Sequence, residues 1–76
     1  MQQPIELGMT FTPGTALARG YVLLKLRRGH TQTALYTYET PNRPLMFVVT
    51  VEHVIVTLTT DKSVAWYALK ARRATT

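Results

Sequence analysis

Apolar positions in this chain run together or alternate; they rarely recur at the three- and four-residue spacing of an amphipathic helix. The longest apolar run is Leu45 to Thr59, LMFVVTVEHVIVTLT, and it is rich in β-branched residues: Val48, Val49, Thr50, Val51, Val54, Ile55, Val56, Thr57 and Thr59. Such side chains are stiff at χ1 and sit better on a pleated sheet than on a helix. As one straight strand the run would span about 50 Å at about 3.3 Å per residue, whereas a compact domain of this size is about 30 Å across. The stretch therefore bends, or it protrudes and pairs with a partner chain.

The phase of the pattern predicts a bend. Leu45, Phe47, Val49 and Val51 form the apolar set at odd positions, and after Glu52-His53 the set moves to the even positions Val54, Val56 and Leu58. A flat strand keeps one parity, because a slip of one residue exchanges its faces. An inserted residue restores the pattern and bends the strand. Glu52-His53 is accordingly expected to be a bulge or corner between two half-strands, which makes the stretch the seam of a barrel or of a dimer. A strand buried on both faces is the alternative, since Met46, Val48 and Ile55 are apolar too.

Upstream, Val22, Leu24 and Leu26 alternate with Tyr21, Leu23, Lys25 and Arg27, and Thr31 to Thr40 reads TQTALYTYET. With Gly29-His30 between them, the two runs predict a β-hairpin with Gly first in a type II′ turn. Pro41 and Pro44 remove two ladder donors, so the second strand ends there. Residues 1–8 read as a flexible arm, Met9 to Thr12 as a short edge strand, Pro13-Gly14 as a turn and Thr15 to Arg19 as one helical turn.

The segment VAWYALKARR, Val64 to Arg73, is ambiguous. Asp61 or Ser63 can cap a helix, and Ala65, Ala68, Leu69 and Ala71 favour one, while Val64, Trp66 and Tyr67 favour a strand. The strand is preferred, with residues 71–76 as a frayed basic tail. The expected fold is a single, mainly β domain over residues 1–76: a small curled antiparallel sheet or barrel of four to six strands with a bent strand at 45–59. The alternative is an α+β fold with a C-terminal helix at 63–73.

Composition narrows the class. The chain has 76 residues and no cysteine, so it has one modest core without disulfide or thiolate metal support, and self-association is plausible. The 45–59 run is shorter than the about 20 apolar residues that cross a bilayer and carries Glu52 and His53 at its middle. The N-terminus lacks the basic and apolar regions of a signal peptide, which makes a cytoplasmic protein the expectation. The only Ser is Ser63, with no triad partner nearby, and Glu6, Glu39, Glu52 and Asp61 are scattered. An enzyme is not expected, nor a metal or other cofactor.

Charge carries the functional signal. Nine Lys and Arg against four Asp and Glu give a net charge of +5, which favours polyanionic partners. Lys25 and Arg27 share a strand face, Arg28 and His30 lie at the hairpin tip, and Arg43 is in the next loop. Lys70, Arg72 and Arg73 form a second cluster. On one side of the molecule they would follow a phosphate backbone. Tyr36 and Tyr38, with Tyr21 on the face of Lys25 and Arg27, are rings on which single-stranded bases could stack, although a core this small also needs such rings.

The expected function is a small, basic, non-enzymatic protein that binds DNA or RNA through these residues. The alternative is a protein-binding module or inhibitor, of the kind that phages and mobile elements encode, docked on an acidic partner protein. A homo-oligomer is plausible under either, because few charges guard Val54 to Thr59.

Overall fold

The computed structural model describes residues 4–41 and 43–74, without the side chains of 39, 40, 43, 44 and 72–74. Its elements are α1 (Pro13–Ala18), β1 (Val22–Arg28), β2 (Gln32–Thr40), β3 (Arg43–Val51), β4 (Val54–Thr59) and α2 (Lys62–Ala74). The four strands form one antiparallel sheet in the order β1-β2-β3-β4, an open meander rather than a barrel.

Both faces of the sheet are covered. On one, Ala34, Tyr36, Val48 and Ile55 pack against Phe11 and against Ala16 of α1. On the other, Leu35, Phe47 and Val49 pack against Ala65 and Leu69 of α2. These are called the α1 face and the α2 face below. Because successive side chains of β2 and β3 enter opposite cores, apolar residues stand at both parities in Ala34–Tyr36 and Leu45–Val49, and parity alone says little.

The Leu45–Thr59 run is not a bent strand. It is the β3–β4 hairpin, and Glu52-His53 is its two-residue turn, with φ of 50° and 67°. Positive φ at both central residues is the type I′ geometry, whose twist matches that of the flanking strands. The expected corner thus becomes a full reversal of the chain, which keeps the run within the domain. A bulge is present, but at Val56: Val49 pairs with Thr57 and Thr50 with Ile55, leaving Val56 without a partner. That extra residue lets Ile55 and Leu58, three apart, both pack on the α1 face while Val56 packs on the α2 face.

Residues 8–11 lie along the start of β4, as a short edge strand should. Gly8 N–H donates to the Ile55 carbonyl at 2.8 Å, Ile55 N–H to Met9 at 2.9 Å and Phe11 N–H to His53 at 2.6 Å. Of the arm expected over 1–8, Ile5 packs on the α1-face core, and residues 1–3 lie outside the described part. Helix α1 (Pro13–Ala18) covers most of the helical turn expected over 15–19 and takes in Pro13-Gly14, expected as a turn; Thr12 caps it by accepting the Thr15 N–H at 3.2 Å, with Pro13 in its first turn.

The segment after β4 is a helix, which corrects the preference for a strand. Asp61 Oδ1 accepts the N–H groups of Ser63 at 2.8 Å and Val64 at 3.3 Å, a helix cap. Ala65 and Leu69, four apart, are fully buried, while Val64 and Tyr67 face solvent. Of the strand-formers of this segment, the helix leaves Val64 and Tyr67 outside, while Trp66 packs against the α2-face core. Helix α2 runs through Ala74, so 71–74 are not a frayed tail, and 75–76 lie outside the described residues. Among the described residues no helix is long and apolar enough to cross a membrane.

The β1–β2 hairpin forms as expected, but with a three-residue loop. Arg28 pairs with Gln32, and Gly29, His30 and Thr31 connect them. Gly29 is not among the residues at positive φ, so the expected type II′ turn is replaced by this longer loop.

Candidate functional site

The register of β1 decides where its cations point. Lys25 pairs with Leu35 and Arg27 with Thr33, which places both on the α2 face; Leu23, Leu26 and Arg28 pair with Tyr36, Ala34 and Gln32 on the α1 face. Leu24 has no partner in this register. Helix α2 lies over β2, β3 and β4, and β1 at the sheet edge keeps Lys25 exposed beside it.

Lys25, Arg27, Arg28 and His30 line one recess of about 460 Å³ together with Leu26, Gly29, Thr31 and Thr33. Arg28 and His30 are exposed, Arg27 is half-buried and Thr33 is buried. The Arg27 Nε is buried and has no hydrogen-bond partner among the described residues. A buried donor left unpaired costs about 1–3 kcal/mol, and one on a charged group costs more. The nearest strand turn, at Glu52, brings a carboxylate to this end of the sheet, but its Oε1 accepts the Gln32 N–H at 2.7 Å. The recess therefore combines a half-buried guanidinium, two further cations, an imidazole and two threonines, a set of groups suited to a tetrahedral oxyanion.

Not every residue expected at the site is brought there. Tyr36 is a core ring, 2% exposed and edge-on to Phe11 at 5.3 Å between centroids, and burial raises its pKa. That corrects its reading as a stacking platform. Tyr21 stands edge-on to Phe11 at 5.2 Å and stacks on Tyr38 at 4.9 Å, in the α1-face core. Tyr21 is thus not on the face of Lys25 and Arg27, because the unpaired Leu24 breaks the alternation between them. Gly20 makes the stack possible: at φ 85° it turns the chain, and a Cβ there would lie 3.3 Å from the Tyr38 ring.

The remaining cations are distributed. Lys70 is exposed on α2, the helix on the side of the sheet to which Lys25 and Arg27 point, but does not line the recess. Arg72 and Arg73 belong to α2, and Arg43 opens β3 at the far end of β2 from the recess; their side chains lie outside the described part. Thr31 and Thr33 were missed from sequence. Counting back across the hairpin from Arg27 would have found Thr33, had the loop length been known.

No family model matches the chain, and no curated protein or solved structure is significantly similar to it.

Proposed function

We propose that this is a small, basic, non-enzymatic nucleic-acid-binding protein of the cytoplasm that holds the phosphate backbone at the first hairpin. One observation carries the reading: Lys25, Arg27, Arg28 and His30 line a single recess, and the buried Arg27 Nε has no partner among the described residues. The half-buried, planar Arg27 guanidinium suits a phosphate oxygen better than a point charge does. Lys70, on the α2 side, extends the positive surface.

Among the described residues the recess lining contains no Phe, Tyr or Trp ring. Binding through it follows charge rather than base identity, so DNA and RNA of unrelated sequence are equivalent ligands. Fluorescence anisotropy with short labelled single strands and duplexes tests this. If about three phosphates are neutralised, affinity falls about 40-fold between 50 and 200 mM salt. No binding up to about 100 µM at low salt, the weak end of non-specific affinities, would sink the reading. A stoichiometric protein partner that survives nuclease treatment would replace it with a module docked on an acidic protein.

A further inference from the structure

Strand β1 is the bare edge of the sheet. Only its inner side is paired, with β2, and among the described residues no other backbone group bonds to Val22–Arg28. The opposite edge has residues 8–11 along the start of β4. Two features restrict what can add to β1. The unpaired Leu24 interrupts its ladder, so a further strand runs in regular register only beyond it, along Lys25–Arg28, which pairs with Gln32–Leu35 without a shift. Lys25, Arg27 and Arg28 load that same stretch with positive charge, and like charges set opposite each other repel.

Charge and backbone chemistry together select the occupant. A second copy offers no complementary strand: its own β1 carries the same cations, and its carboxylates, Glu6, Glu39, Glu52 and Asp61, stand singly along the chain. No segment of it sets two of them on one strand face. A lipid surface does not suit an open edge, because unpaired N–H and C=O groups are not tolerated in hydrocarbon. Phosphates accept from the N–H groups but leave the carbonyls unmet. They also leave uncovered Val22, Leu23 and Leu24, which are 60%, 45% and 43% exposed, and Leu17 of the neighbouring α1, at 79%. A polypeptide strand brings donors and acceptors at once, and its side chains reach both faces.

We propose that an acidic, extended segment of another protein adds to the outer edge of β1, antiparallel like every other pair in the sheet. The register of β1 assigns its composition. On the α2 face it sets carboxylates, two residues apart, opposite Arg27 and Lys25. On the α1 face a third carboxylate lies opposite Arg28 and an aliphatic side chain opposite Leu26. Past the bulge, aliphatic residues follow against Val22–Leu24. The cations that keep copies apart are thus the groups that recognise the partner, since an opposite-charge pair across two strands is favourable where a like pair is not. Four paired residues make a short ladder, so the complex is a transient one. The pairing does not depend on the recess holding phosphate, although Lys25, Arg27 and Arg28 line both.

The test uses the full chain and a capped, fluorescently labelled peptide, Glu-Glu-Val-Glu-Val-Val, beside a control of the same sequence with every backbone amide methylated. The control keeps the charge and removes the strand donors. Anisotropy reads affinity, and amide hydrogen exchange followed by NMR reads pairing. The expected result is slower exchange at the outward-facing amides of Lys25–Arg28 with the peptide and none with the control. The control should bind about tenfold more weakly, the loss of roughly one net backbone hydrogen bond. Equal affinity for the two peptides, unchanged exchange in β1, or no binding up to about 1 mM overturns the inference. Oligonucleotide binding alongside any of these leaves the nucleic-acid reading standing alone; protection of β1 by the peptide in a chain that binds no oligonucleotide removes that reading and keeps the strand addition.

Discussion

Gln32 and Glu52 hold each other by a reciprocal pair of hydrogen bonds: the Gln32 N–H donates to Glu52 Oε1 at 2.7 Å, and the Glu52 N–H donates to the Gln32 carbonyl at 2.9 Å. The pair ties the β3–β4 turn to the foot of β2, beside the cationic recess, and holds Glu52 at its positive φ. Glu52→Ala should lower stability by about 0.5–1.5 kcal/mol, because its partner N–H is solvent-accessible and regains water. Glu52→Gln keeps an acceptor and should be nearly neutral in urea unfolding, while oligonucleotide affinity rises with the loss of a negative charge near the recess.

His53 is the second residue of that turn at positive φ. An L-residue in this region is strained by about 1–2 kcal/mol, which glycine avoids at an entropic cost of about 0.5–1 kcal/mol. His53→Gly keeps the carbonyl that accepts the Phe11 N–H. It should raise stability by about 0.5–1 kcal/mol, or about 4 °C in melting temperature. A lower melting temperature would show that the His53 ring contributes more than its backbone strain removes.

Leu69 and Tyr67 separate the two conformations considered for their segment. As a strand they would share a face and respond alike. In α2 Leu69 is fully buried and Tyr67 is 73% exposed. Leu69→Ala should cost about 2–5 kcal/mol, a large part of the about 4–11 kcal/mol available to a chain of this length. Tyr67→Ala should stay within about 0.5 kcal/mol. Denaturant titration of both variants checks the contrast.

Burial raises the pKa of Tyr21 and Tyr36, and the positive charge of Arg19 partly offsets the shift at Tyr21. Since both values exceed the unfolded one, near 10, the folded chain retains protons that the unfolded chain has lost. Their contribution to stability is complete below about pH 10 and is lost as pH rises through the folded values. Alkaline unfolding should therefore begin near pH 10, and Tyr36→Phe should weaken that dependence. Phenolate absorbance against pH should show a late-titrating fraction, smaller in the variant.

At the recess, Arg27→Ala should weaken oligonucleotide binding and reduce the salt slope by about 0.9, the share of one phosphate. Arg27→Lys keeps the charge but not the fork, and should fall between the wild type and the alanine variant. Tyr38→Phe, on the opposite face, should leave affinity unchanged. Anisotropy across a salt series distinguishes these outcomes.

Local chemistry determined much of this protein. β-branched residues made Leu45–Thr59 sheet-forming, alternation around Gly29 marked the first hairpin, Pro41 and Pro44 ended its second strand, and Asp61 offered a helix cap. The charge excess and the grouping of Lys25, Arg27, Arg28 and His30 were equally legible, because adjacency along a hairpin survives folding. Tertiary structure decided the rest. Glu-His resembles no common hairpin turn, and its reversal is held by Gln32, twenty residues away. Propensities for 64–73 were nearly balanced, and the helix prevails with Ala65 and Leu69 covering a sheet face that includes Leu35 and Phe47. Tyr21 changed sides because Leu24 drops out of register, which no side-chain pattern records. Whether Arg27 finds a partner depends on which groups the folded chain brings to it, and the sequence lists residues without their distances.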